Sequence, residues 1–364
     1  MMRPRALALV GSLLSLCPFA SGQITPFLVE DSGGPQHYPK VNGSIVVWQE
    51  YLDGHNAVGC KDLGTGEAFY IDAPPIDRLE PDTNGSLVVW RDKRTGDFDI
   101  YAQDVQSGQQ WTVVDAPFNQ TQPAISQDFI VWSDLRNSTD LDIYALDLRT
   151  GLEFPVCKAF GAQQAPAVSG NIIVWEDKGR AKTYLNPLAS DIYGYDVTTG
   201  KEFLIATDSK GIRQAKPAIS GNIVVWIDGH NGGDIRGYDL GSATAFPIHV
   251  ESPDDYAGQN DPDIDGRYVV WEDGRNLVDL DIWGYDLLTG QEFPIFRGPG
   301  NQGNPRISGN LVVWESHPPG EVERIMGAYI PEPASAGLLG LGAALLAGRR
   351  RGRPMTSRRS GREG

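Results

Sequence analysis

The chain has 364 residues, 40% of them hydrophobic, and a net charge of −16. That length and apolar content allow two or three ordinary domains or one large repeat architecture. Setting aside Arg3 and Arg5, the seven arginines within 349–362, Glu332 and Glu363 leaves 22 bases against 45 acids, so the body carries close to −23. A surface that acidic repels DNA, RNA and anionic lipid. It excludes nucleic-acid binding and favours divalent cations and neutral or cationic partners.

The first 22 residues read as a secretory leader. Arg3 and Arg5 make a basic start, Ala6 to Leu16 an apolar run, and Ala20-Ser21-Gly22 a small-residue cleavage site. Cleavage there removes Cys17 and leaves Cys60 and Cys157, too few and too far apart for a disulfide framework. The expectation is export.

From residue 23 to 330 the chain repeats, with tryptophan as its ruler. Trp48, Trp90, Trp132, Trp175, Trp226, Trp271 and Trp314 end similar apolar phrases, at intervals of 42, 42, 43, 51, 45 and 43 residues. A period of about 40–50 residues with β-rich content is that of propeller blades. Each repeat reads as four strands. Strand A starts at a proline, as in Pro217-Ala-Ile-Ser220. A Ser-Gly-Asn or Asn-Gly-Ser turn follows, whose residues tolerate the positive φ of tight hairpins. Strand B is the unbroken apolar run ending at Trp, which implies a sheet covered on both faces. Strand C is Asp191-Ile-Tyr-Gly-Tyr-Asp196 and its relatives, while Asn56 to Leu63 makes a poor copy of it. Strand D carries prolines at 155, 247 and 294, which suit an outer edge.

The seventh repeat stops after strand C, at 324–330. The missing fourth strand is supplied by Ile24-Thr-Pro-Phe-Leu-Val29, which resembles the strand D phrases. The expectation is a closed, seven-bladed, all-β propeller of four-stranded blades, locked by its N-terminal strand.

Pro-x-Ile-Ser-Gly-Asn at 217–222, Ile-Val-Val-Trp-x-Asp at 223–228 and Asp-Ile-Tyr-Gly-Tyr-Asp at 191–196 resemble the TolB-type propeller repeat of many exported proteins. The resemblance covers residues 24–330 and speaks for fold more than for function.

Loops B–C and D–A share one face, which holds the insertion from Lys178 to Ser190 and the acidic stretch from Glu251 to Asp261. Three residues before each strand A proline stand Gln36, Arg78, Gln120, Gln163, Gln214, Gln259 and Gln302. They read either as a polar ring for a ligand at the channel mouth, with Arg78 the odd member, or as amides that build each blade. Asp134, Asp140 and Asp142 are spaced like Asp273, Asp279 and Asp281, and each group encloses an arginine, Arg136 or Arg275. Ca²⁺ ligation and loop-bracing Asp–Arg pairs both fit that pattern. No other cofactor is implied. His37, His55, His230, His249 and His317 occupy unrelated blade positions, and nucleophile-elbow, phosphate-loop and Cys-x-x-Cys motifs are absent from the sequence.

Past the repeats, Pro331, Glu332 and Pro333 precede an apolar stretch from Ala334 to Gly348 and then Arg349-Arg-Arg351. This 331–351 segment resembles a PEP-CTERM sorting signal with a short transmembrane helix, and a basic tail fills 352–364. The resemblance implies an exosortase-type membrane enzyme as partner, and an address at the cell envelope, the cell surface or the extracellular matrix. The functional expectation is a non-catalytic propeller binding a glycan, peptide or protein. The alternative is a polysaccharide lyase or hydrolase that uses channel carboxylates.

Overall fold

The computed structural model describes residues 23–71, 75–179, 189–250 and 258–332. The leader, most of the insertion after Lys178, residues 251–257, Pro333 and everything beyond it lie outside those described residues. The repeats form one compact unit, Ile24–Ile330. It is a seven-bladed β-propeller of four-stranded antiparallel sheets.

The inner strands are Gln36–Asn42, Arg78–Thr83, Gln120–Ile125, Gln163–Ser169, Gln214–Ser220, Gln259–Asp265 and Asn301–Ser308. Each touches the inner strands of the two neighbouring blades, and the first touches the last, so the ring is closed. The seven strand B tryptophans lie in the blade cores, each no more than 3% exposed. Apolar clusters join neighbouring blades: Trp90 packs with Val47 and Val58, and Trp175 with Val131 and Ile143.

Strand Phe27–Leu28 pairs antiparallel with Arg324–Tyr329, matching Phe27 to Gly327 and Leu28 to Met326. The seam rests on a glycine. In blades 4, 5 and 6 the strand C glycines Gly194, Gly237 and Gly284 lie under Phe203, Phe246 and Phe293 of strand D, where an added Cβ would meet the ring at 2.5, 2.4 and 2.9 Å. Phe27 covers Gly327 in the same way, at 2.7 Å. The first strand is thus a true fourth strand, with the same aromatic in the same place.

Blade 1 differs from expectation. His55–Asp62 is a complete strand C that pairs with Ile45–Leu52 along its whole length. Its weak apolar pattern is offset by Gly59, which lets the Trp48 indole lie flat on the backbone; a Cβ there would come within 2.3 Å of that ring.

The tight turns between strands A and B also tie blades together. Gly43, Gly221 and Gly266 have φ of 60°, 56° and 53°. Their N–H groups donate to Ser308, Ser169 and Ser220 of the preceding blade, each at 3.0 Å. Among the described residues no helix is long and apolar enough to cross a membrane.

Candidate functional site

Every inner strand carries a β-bulge two residues after the Gln position. The register with strand B slips there in all seven blades, for example between His37 and Lys40 and between Asn260 and Asp263. The residue at each bulge immediately precedes the strand A proline: Tyr38, Glu80, Gln122, Ala165, Lys216, Asp261 and Asn304. All seven hold φ between 45° and 54°, which costs a non-glycine residue on the order of 1–3 kcal/mol. The neighbouring blade helps to hold that backbone. Glu80 Oε2 accepts from Gln122 N at 2.7 Å, Gln122 Oε1 from Ala165 N at 2.9 Å, and Glu272 Oε1 from Asn304 N at 2.6 Å. Glu315 accepts from Tyr38 N across the seam.

An extra residue in a strand turns its side chain out of the sheet. Six of the seven bulge residues line the central channel, together with Lys40, Arg91, Glu176, Arg213, Asp263 and Arg306, around a cavity of about 900 Å³. This position was missed in the sequence reading, although its signal was present: a variable, mostly polar residue before an invariant proline.

The channel's charges are matched locally. Arg91 grips Glu80 with Nε at 2.9 Å from Oε2 and NH2 at 3.0 Å from Oε1. Lys216 Nζ lies 2.5 Å from Asp261 Oδ1 and 3.3 Å from Asn260 Oδ1. Arg213 faces the buried Glu176 at 3.3 Å. Glu272 is buried behind this wall, and its pKa is pushed up to about 7 by burial and then by the charge of Asp261. Burial also works to raise Asp261, but Arg306 and Lys216 outweigh it and hold that carboxyl low. The two carboxyls therefore share one proton near neutrality.

The Gln positions lie elsewhere. Gln36, Arg78, Gln120, Gln163, Gln214, Gln259 and Gln302 are all 3% exposed or less, so they surround the channel from inside the blades. Gln214 Oε1 accepts from Trp226 Nε1 at 2.7 Å, and Gln302 Oε1 from Trp314 Nε1 at 3.0 Å. Gln36 Oε1 accepts from Ile325 N at 2.9 Å across the seam. Arg78 stands 3.9 Å from Asp92.

The Asp loops form braces. Trp132 Nε1 donates to Asp134 at 2.7 Å, Arg136 grips the same carboxylate at 2.6 Å, and its guanidinium lies 4.0 Å over Tyr144. Trp271, Asp273, Arg275 and Trp283 repeat that chain, as do Trp90, Asp92, Arg94 and Tyr101. Asn137 joins Asp140 and Asp142 at 3.1 and 3.0 Å, and Asn276 joins Asp279 and Asp281 at 2.7 and 3.0 Å. Asp140 and Asp279 also accept from Gly161 N and Gly300 N of the next loop. Among the described residues no group of three or more His, Cys, Asp or Glu side chains is placed to hold a metal ion. Pro331 and Glu332 lie in irregular chain.

Fold and channel define a closed seven-bladed β-propeller with a polar mouth. Many solved structures share the fold. The β-propeller domain of the Trilobed protease from Pyrococcus furiosus is 13% identical with a TM-score of 0.64, over 82% of this chain and 96% of that one. That domain is described as having an open velcro topology, whereas Phe27–Leu28 joins the two ends of this ring. Oligogalacturonate lyase from Vibrio parahaemolyticus is 12% identical with a TM-score of 0.61, covering 86% of this chain and 95% of that one. TolB from Acinetobacter baumannii is 14% identical with a TM-score of 0.47, covering 79% and 80%. No protein-family profile matches the sequence, and no curated protein does either.

Proposed function

We propose that this chain is an exported propeller of the cell envelope or extracellular matrix that binds a polar ligand, a glycan, peptide or protein segment, at the mouth of its channel. The supporting observation is the ring of bulge residues: one backbone position, seven times repeated, with seven different side chains, six of them lining the channel. Backbone strain kept in every blade, with the side chain free to vary, is the arrangement of a binding surface on a rigid scaffold. Export and sorting rest on the leader and on Pro331, Glu332 and Pro333 ahead of the apolar stretch, with an exosortase-type enzyme as the partner that reads them. Glycan and peptide arrays probed with the full chain test the binding role. Signals should fall with Lys216→Ala and Glu80→Gln; signals indifferent to both would place the ligand elsewhere.

A second reading is a polysaccharide lyase or hydrolase. The Asp261–Glu272 pair favours it, because a carboxyl titrating near neutrality is equipped to donate and accept protons. Incubation with polyuronides and neutral glycans decides the matter. New reducing ends or unsaturated products that vanish with Glu272→Gln support catalysis, and their absence leaves the binding role.

A further inference from the structure

We propose that the ligand of the channel mouth is a neutral saccharide whose sugar ring stacks on Tyr38, an inference that rests on the channel-mouth reading above. Tyr38 is the single aromatic among the seven bulge residues and is 52% exposed. Its backbone is fixed by the bond to Glu315 and by the buried Pro39, while its ring meets His37 at 6.2 Å with a tilt of 50°. The backbone under the ring is therefore held, and about half of the residue is uncovered. A pyranose has a face of slightly positive C–H bonds and a rim of hydroxyls. The first suits the negative face of an aromatic ring.

The rest of the mouth suits the rim. In a seven-membered ring, blades 4 and 5 stand opposite blade 1, which places Ala165 and Lys216 across the channel from Tyr38. Ala165 is the smallest of the seven and leaves room for a flat group. Around it are donors and acceptors of both kinds. Lys216 has a third N–H beyond those spent on Asp261 and Asn260, and Gln122, whose amide oxygen accepts from Ala165 N and Ser133, lines the cavity too.

Charge separates a sugar from a peptide or an ion. Glu80 is neutralised by Arg91, and Asp261 by Lys216. Hydroxyl groups can add to these pairs without breaking them, whereas a charged ligand would turn to Lys40 or Arg306, which also line the cavity. The cavity, at about 900 Å³, accommodates several sugar residues.

The test is calorimetry on the full chain with neutral hexasaccharides: α-1,4-glucan, β-1,4-glucan, β-1,3-glucan, β-1,4-mannan and chitin oligomers. Galacturonate oligomers and charged peptides serve as comparators. At least one neutral oligosaccharide should bind. Tyr38→Ala should weaken it by about tenfold and Tyr38→Phe by less than about threefold, because stacking uses the ring and not the hydroxyl. Ala165→Trp, which fills the gap, should abolish binding. Tyr38→Ala keeps a foldable bulge, since Ala165 occupies the same conformation in blade 4 at φ 50°; equal unfolding midpoints confirm this. Neutral-glycan binding that ignores Tyr38→Ala and Ala165→Trp overturns the inference. Binding only of charged ligands, lost with Lys216→Ala, overturns the sugar and keeps the channel mouth. Absence of any ligand across the panel overturns both.

Discussion

Two rings circle this channel two residues apart, and they behave in opposite ways. The first, Gln36 and its counterparts, has one amino acid in six of seven blades and is buried. The second, Tyr38 and its counterparts, has a different amino acid in every blade and lines the cavity in six of the seven. Sameness around a repeat marks construction: these side chains lie inside the blades, and in two of them the amide takes up an indole N–H, of Trp226 and of Trp314. Variation at a position with fixed backbone marks where the blades have been used for something besides construction. Arg78 departs from glutamine, yet it too is buried, beside Asp92, and so belongs to the first kind.

The contrast predicts that scaffold changes cost stability and leave recognition alone. Deleting 24–29 should cost most, on the order of 3–5 kcal/mol, because burial of Val29 is worth ~1.5–3 kcal/mol and the half-buried Phe27 adds a part of that. It also exposes Arg324–Tyr329 as an open edge. Urea unfolding and a concentration-dependent scattering assay read both effects. Next comes Gln302→Ala, which leaves the buried Trp314 N–H without its acceptor and should cost about 1–3 kcal/mol. The folded fraction of that variant should bind ligand as the parent does. Lys216→Ala is the converse. Its pair with Asp261 is more than a third exposed on the lysine side, so stability should change by less than about 1 kcal/mol while ligand affinity drops. A Gln302 variant that alters specificity, or a Lys216 variant that unfolds, would merge the two rings into one.

Much of the scaffold was legible in the sequence, and the mouth was not. The tryptophan period gave the blades. The lone strand at 24–29 and the absent fourth strand of the last repeat gave the seam. The Gln position was legible too, but only as a place. The two readings of it differ in burial, which a strand pattern does not report once a bulge intervenes. Reading strand A with strict alternation puts Tyr38 on the same side as Gln36. The extra residue breaks that count and delivers Tyr38 to the channel. Asp261 and Glu272 were equally hidden, since their meeting depends on the register slip between Asn260 and Asp263. His55–Asp62 was undervalued because a glycine under Trp48 makes no apolar signal, although it is what allows the strand to form.

Glu272 belongs to neither ring. It follows a core tryptophan and bonds a bulge amide, so its titration reports on the scaffold directly behind the mouth. Its pKa rises from an ordinary 4.5 to about 7 on folding. Between those values the native state binds more protons than the unfolded one. Stability must therefore fall as pH rises from about 4.5 through 7. Asp142, pushed up to about 6 by burial and then by Asp140, adds to the same slope at its lower end. Asp92 and Asp273 act oppositely. Burial works to raise them, but hydrogen bonds from Arg94 and Arg275 prevail and lower their pKa, so the stability they give is present above about 3.8 and lost as pH falls below it. Stability should then peak near pH 4. Glu272→Gln keeps the shape of the side chain and removes the proton exchange. In urea titrations at several pH values it should flatten the neutral arm of that curve and spare the acid arm. A parent curve already flat between pH 5 and 8 would mean that Asp261 and Glu272 do not share a proton. Asn304 would then be held by an ordinary ionised carboxylate.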